Sequence, residues 1–143
     1  MKNGFSFIEL LFVMFIISII SLIAYPNFNN YIIRAHRSDG QTALLDLSIR
    51  MENYYAENNS YKKATIGEGN GHDILASNIS PEGFYILSIT NATDSTYDLK
   101  ATPIMSQATG DKLCQSLTIS SLGNKNITTG PLNRPTGTSA DCW

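Results

Sequence analysis

The stretch Gly4–Pro26, GFSFIELLFVMFIISIISLIAYP, constrains this chain more than any other. From Phe5 to Tyr25 it is apolar apart from a few serines and one carboxylate, Glu9. As a helix this run of about 21 residues reaches roughly 30 Å, the thickness of a bilayer's hydrocarbon core. A buried core helix so apolar on every side would be unusual in so small a domain, so a membrane-spanning segment is expected. A secretory signal is the rival reading. Lys2 gives a short basic start, but the apolar run is long for a signal, contains an acid, and ends in LIAYPNF, a poor cleavage site.

The remainder is of another kind. From Asn27 onward the sequence is polar and rich in Asn, Ser, Thr and Gly. The formal net charge is -2 and 15% of residues are charged, low for a soluble protein. Two cysteines, Cys114 and Cys142, lie beyond the apolar run. In a small exported domain such a pair forms a disulfide, and this loop length is worth about 3–4 kcal/mol in the chain-entropy model. The alternative is two reduced cytosolic cysteines. Basic residues do not orient the membrane segment: Lys2 stands on one side, Arg34 and Arg37 on the other. The cysteines put the C-terminal part outside the cytoplasm.

The helical pattern continues past the apolar run. Phe28, Tyr31, Ile32, Ala35, Ala43, Leu44, Leu47, Met51, Tyr54 and Tyr55 recur at threes and fours, with charged residues on the other faces. This second half is amphipathic where the first is oily all round. Pro26 removes a hydrogen bond and is expected to kink or break the helix. Gly40 weakens it by about 1 kcal/mol relative to Ala. From residue 58 to residue 83 periodicity disappears, and a loop is expected. FYILSIT (84–90) and TYDLKATP (96–103) flank a turn-like NATDS and predict an antiparallel hairpin, with SLTISS (116–121) as a third strand. The Gly/Pro-rich tail reads as irregular. The fold class is α+β: one long N-terminal helix packed on an antiparallel sheet of 3–4 strands.

Glu9 needs a partner, because a carboxylate in hydrocarbon costs on the order of 3 kcal/mol. No cation lies one helical turn away within the apolar run. Cleavage between Gly4 and Phe5 would create one, the α-amine of Phe5. It would stand four residues from Glu9 on the same helix, or beside Glu9 of a neighbouring subunit staggered by one step.

Gly4-Phe5-Ser6-Phe7-Ile8-Glu9 and the apolar helix after it resemble the class III signal of type IV pilins. The terminal Cys-Trp and SPEGFYILSITNATDSTYDLKATP resemble Gram-negative pilins in particular. The resemblance implies removal of a leader (1–4) by a prepilin peptidase that also N-methylates Phe5. It implies assembly through Glu9, a helix break at Pro26 and a C-terminal loop bounded by Cys114 and Cys142. Residues 5–26 become the transmembrane and filament-core half. Residues 27–143 become the soluble head: an amphipathic helix half (27–57), an αβ loop (58–83), a sheet (84–122) and a disulfide-bounded tail (114–142). The implied role is a structural subunit, major or minor, of a filament for adhesion, twitching motility or DNA uptake. No catalysis and no cofactor are implied. Its partners are other pilin subunits, the peptidase/N-methyltransferase and an inner-membrane assembly platform. The implied location is the inner membrane, with a periplasmic head, before assembly and an extracellular pilus afterwards. Asn3 stands where a basic residue is common, and Ser6 where Thr is frequent.

Two further readings stay open. One is a DNA-binding minor pilin for natural competence, with Lys100, Lys112, Lys125 and Arg134 outnumbering Asp111 and Asp141 in the C-terminal region. The other is a pseudopilin of type II secretion, against which the cysteine pair argues. The loop GEGNGHD (67–73) has neither dinucleotide nor EF-hand spacing and reads as a surface loop, although Glu68, Asn70 and Asp73 carry oxygen ligands. His36 and His72 have no neighbour that suggests a site.

Overall fold

The computed structural model describes residues 6–132 and 134–143. Gly4 and Phe5, the expected processing site, lie outside them. The elements follow as α1 (Phe7–Asn58), β1 (Thr65–Ile66), β2 (Asp73–Leu75), β3 (Tyr85–Ala92), β4 (Tyr97–Pro103), α2 (Met105–Gly110), β5 (Ser116–Ser120), β6 (Lys125–Thr128) and α3 (Ser139–Cys142). The helical assignment of α1 runs through Pro26 without interruption. Two compact units divide the chain, Met1–Arg34 and Ala35–Trp143.

In the first unit every described apolar side chain from Phe7 to Ile23 is exposed or nearly so. The helix meets the length and composition for a membrane span. Ser18 and Ser21 turn their hydroxyls back onto the carbonyls of Met14 and Ile17, each at 2.8 Å. Such back-bonding satisfies a hydroxyl without water and lets serine stand in an apolar helix. Glu9 lies in the first turn, where the helix dipole favours an acid. Among the described residues no cation pairs with it.

In the second unit the stripe Ala43, Leu44, Leu47 and Met51 is buried against Tyr85, Leu87, Tyr97, Leu99, Ala101, Leu117 and Ile119 of the sheet. The sheet is antiparallel in the order β3-β4-β5-β6. Alternation along β4 is strict: Tyr97, Leu99, Ala101 and Pro103 are buried, while Asp98, Lys100 and Thr102 face outward. Gly40 has a packing reason, since a Cβ there would stand 2.9 Å from the Tyr85 ring.

Three expectations need correction. The tail is not irregular throughout: Lys125–Thr128 pairs with β5 and makes the sheet four-stranded, so it runs past residue 122. The last residues close as the short helix α3, with the Asp141 carboxylate accepting from Thr138 N and Oγ1 at 2.9 and 2.7 Å. The 58–83 segment contains the short parallel pair β1-β2, fastened by the Thr65 hydroxyl, which lies 2.6 Å from Asp73 Oδ1. The disulfide expected between Cys114 and Cys142 is present, with the Cα atoms 5.6 Å apart.

The head's buried charges are paired. Arg37 Nε and Nη2 donate to Asp111 Oδ2 and Oδ1 at 2.9 and 2.8 Å, a bidentate ion pair with both partners buried. Asp111 also accepts from Cys114 N and from Gln107 Nε2. Gln41 Nε2 donates to the carbonyl of Cys142 at 2.7 Å, so α1 holds both the segment before β5 and the tail. Glu52 accepts from the hydroxyls of Tyr61 and Tyr97, each at 2.9 Å, and fastens the loop after α1 to the sheet.

Candidate nucleic-acid interface

The four basic residues singled out in the sequence fall into three settings. Lys100 stands on the solvent face of β4, opposite Ser88 and Thr118, and its Nζ donates to the carbonyl of Thr129 at 3.2 Å. Lys125 opens β6, with its Nζ 4.9 Å from the centroid of the Trp143 ring. The Trp143 indole is oriented in turn by Nε1 donating to the carbonyl of Asn126 at 3.0 Å. Lys112 and Arg134, distant in sequence, come together. The carbonyl of Lys112 accepts from Thr136 N and Oγ1 at 3.2 and 3.1 Å, which folds the tail back over the segment before β5. With Gln115, Leu132 and Thr136, the two cations line a cavity of about 180 Å³.

Charge distinguishes this cavity from its neighbours. Among the described residues no carboxylate lines it, whereas three larger clefts, of about 340, 380 and 520 Å³, each include one or two. Asp111, the nearest acid in sequence, is turned inward onto Arg37 and only its carbonyl meets Gln115, whose Nε2 donates to it at 2.8 Å. Gln115 is buried, its backbone is left-handed at φ 51°, and its Oε1 has no partner among the described residues.

A second basic group went unnoticed in the sequence. Lys62 and Lys63, just past the end of α1, line a cleft of about 340 Å³ with Tyr54, Asn58, His72 and Asp94. Tyr54 Oη and His72 Nδ1 meet at 3.0 Å on its wall. The adjacent lysines among Tyr54, Tyr55 and Tyr61 were the available signal, a basic pair interleaved with aromatics. The glycine loop beside it is self-satisfied. Asp73 accepts from Gly69 N and Asn70 N, and the Thr65 hydroxyl, first, then these backbone amides hold its carboxyl below the usual range. Among the described residues no cluster of three or more metal-binding side chains is present.

This combination of an apolar N-terminal helix, a helix-backed antiparallel sheet and a disulfide-closed tail is the architecture of a type IV pilin. The family model described as "Type IV minor pilin ComP, DNA uptake sequence receptor" matches residues 26–118, and that of the prokaryotic N-terminal methylation motif matches residues 1–25. The first covers well over half of the chain, so the chain belongs to this family of type IV minor pilins. Among solved structures, the Neisseria meningitidis non-core minor pilin PilV is similar, with a TM-score of 0.52 at 17% identity over 75% of this chain and 97% of that one. At that identity the likeness shows the fold. No curated protein matches the chain. The methylation motif and the apolar helix mark a membrane-anchored prepilin that is processed by a peptidase and enters a pilus with other pilins. Lys62, Lys63, Lys100 and Lys112 lie inside the residues matched by the minor-pilin family; Lys125 and Arg134 lie beyond them.

Proposed function

We propose that this minor pilin is a DNA-binding subunit that displays its head on a type IV pilus and captures duplex DNA for uptake. The observation that carries the reading is the carboxylate-free cavity bearing Lys112 and Arg134, in a chain whose family is described by a DNA uptake receptor. With a formal net charge of -2 the protein has no long-range attraction for phosphate, so affinity has to come from local clusters. Lys112 and Arg134 form the first cluster, Lys62 and Lys63 the second, and Lys100 and Lys125 supply further cations along the sheet.

Assembly is the other half of this reading. Cleavage after Gly4 frees the α-amine of Phe5, which N-methylation leaves cationic. In the filament core that amine pairs with Glu9 of a neighbouring subunit. Apolar contacts with lipid are exchanged for apolar contacts with protein, so the hydrophobic contribution changes little and the ion pair sets register. The disulfide favours a periplasmic head before assembly.

Fluorescence anisotropy of the soluble head (residue 29 onward) with a mixed-sequence duplex, across a salt series, tests DNA binding. Affinity should fall steeply with salt, and Lys112→Gln with Arg134→Gln should reduce the slope by about 2, roughly one per lost phosphate contact. Salt-independent or undetectable binding, or a double variant that behaves as the parent, would contradict the reading.

A further inference from the structure

We propose that Asn70 and Gly71 form a site of self-modification: the Asn70 carboxamide cyclises onto the Gly71 nitrogen and reopens as aspartate or isoaspartate, adding a negative charge beside the cleft of Lys62 and Lys63. The chemistry stands apart from the DNA-binding reading above; only its effect on that cleft rests on it.

The sequence sets an asparagine before a glycine at two points. One, Asn3-Gly4, precedes the expected cleavage. The other lies in the turn between β1 and β2, where Asn70 and Gly71 are both exposed. Cyclisation needs a carboxamide carbon within reach, an oxygen ready to take up negative charge, and a backbone nitrogen free to give up its proton. Covalent connection supplies the first, because only Cβ, Cα and the carbonyl carbon of Asn70 separate its Cγ from the Gly71 nitrogen. His72 N donates to Asn70 Oδ1 at 2.8 Å, which curls the side chain back along the main chain across the intervening Gly71. The same donor stabilises the charge that develops on that oxygen. Asn70 Nδ2 donates to Glu68 Oε2 at 3.1 Å, so a flipped carboxamide would set an oxygen against a carboxylate.

The third need is met by a gap in the turn's hydrogen bonds. Gly69 N and Asn70 N donate to Asp73 Oδ2 at 2.6 and 3.3 Å, His72 N to Asn70 Oδ1, and Asp73 N to the Asn70 carbonyl at 3.3 Å. Among the described residues the Gly71 amide has no acceptor. It is also uncrowded, since a Cβ on Gly71 would meet nothing within 4 Å.

The step balances with water alone. The Gly71 nitrogen passes its proton to hydroxide and bonds to Asn70 Cγ. The bond from Cγ to Nδ2 breaks, and Nδ2 leaves as ammonia after taking a proton from water. Water then opens the succinimide at either carbonyl, giving aspartate, or isoaspartate with the main chain lengthened by one methylene. The product exchanges a donor for a carboxylate next to Glu68, and their hydrogen bond becomes a repulsion. His72, two residues on, walls the cleft that holds Lys62 and Lys63. A new carboxylate there competes with phosphate for those cations, so the head's hold on DNA declines with the age of the subunit.

Peptide mapping by mass spectrometry, on the full chain aged in detergent micelles in neutral and in mildly alkaline buffer, tests the chemistry. The Asn70 peptide should gain the mass of an NH2-to-OH exchange as two separable products, faster in alkali, and ahead of Asn58, Asn78, Asn91 and Asn126, none of which precedes a glycine. Gly71→Ala should slow the conversion about tenfold or more, because the added methyl crowds the attacking nitrogen. That variant keeps the fold, since Gly71 is not left-handed and its Cβ finds open space. Asn70→Asp, which supplies the charge at once, should bind the mixed-sequence duplex about twofold to threefold more weakly at low salt, with the difference closing as salt rises. Aged parent should come to match it. Conversion at Asn70 no faster than at the other asparagines, or undiminished in Gly71→Ala, would overturn the site. Duplex affinity equal in Asn70→Asp and the parent would overturn its link to the cleft. A fresh parent that binds no DNA would overturn the DNA reading and that link, and leave the chemistry to be judged by the mass spectra alone.

Discussion

Leu22 and Leu47 sit on the same helix, α1, and have opposite fates: Leu22 is 78% exposed and Leu47 is wholly buried. The same contrast separates two carboxylates. Asp111 is buried and fully met by Arg37, Gln107 and the Cys114 amide. Glu9 stands in an apolar stretch and has no cation partner among the described residues. The head pairs its buried charges within its own chain. The described apolar side chains of the N-terminal segment are exposed, so their complement, first lipid and then other subunits, comes from outside. Polar groups show the same division. Ser18 and Ser21 bond back onto their own helix, whereas Ser80 reaches across to Asp39 at 2.6 Å.

Damage to the head's internal pairs should therefore unfold the head and leave the chain in the membrane. Arg37→Ala has the largest expected effect. It strands Asp111 as an uncompensated buried charge, at a cost of about 3–5 kcal/mol in urea denaturation of the head. Replacing both partners by Met and Leu should recover much of that loss. Cys114→Ser with Cys142→Ser follows, at about 3–4 kcal/mol, with membrane fractionation unchanged. Glu9→Ala attacks the other region. The head should keep its stability and the chain its membrane anchorage, while the amount recovered in sheared filaments falls about tenfold or more, as loss of an ion pair worth at least about 1.4 kcal/mol requires. Filaments of normal number and subunit content would count against the pairing.

Gly40→Ala sharpens the contrast within one helix. Helix propensity alone favours Ala by about 1 kcal/mol, but the Cβ meets the Tyr85 ring at 2.9 Å, so a net loss of about 1–3 kcal/mol is expected from thermal melts. The smallest effect is alkaline. Burial, followed by the hydrogen bond to Glu52, pushes the Tyr61 hydroxyl from 10.0 to about 12, and the same causes push Tyr97 up. The unfolded chain releases these protons first. Stability present below about pH 10 should thus fade as the pH climbs towards about 12 and beyond, and Glu52→Gln should soften the fall.

What was legible in the sequence followed from period and composition. The apolar run, the stripe from Ala43 to Met51 and the hairpin around NATDS are local patterns, and the cysteines announce their own pairing in an exported domain. β6 was missed because Lys125–Thr128 is a short polar edge strand whose identity comes from its register with β5 rather than from its own residues. The pair β1-β2 depends on hydrogen bonds from Thr65 and Asp73 side chains, which no periodicity reports. Among the candidate cations, Lys112 and Arg134 were named, but their meeting is made by Thr136 folding onto the Lys112 carbonyl. Gln115 gave no signal at all, since a polar residue looks the same in sequence whether it is solvated or buried without a partner.

Mass spectrometry of sheared surface filaments tests most directly the claim that the N-terminal region finds its complement in other subunits. The chain should be present as a minor component, begin at Phe5 and carry one added methyl on that residue. A chain that begins at Met1, or that stays in the membrane fraction while filaments form without it, would contradict the account.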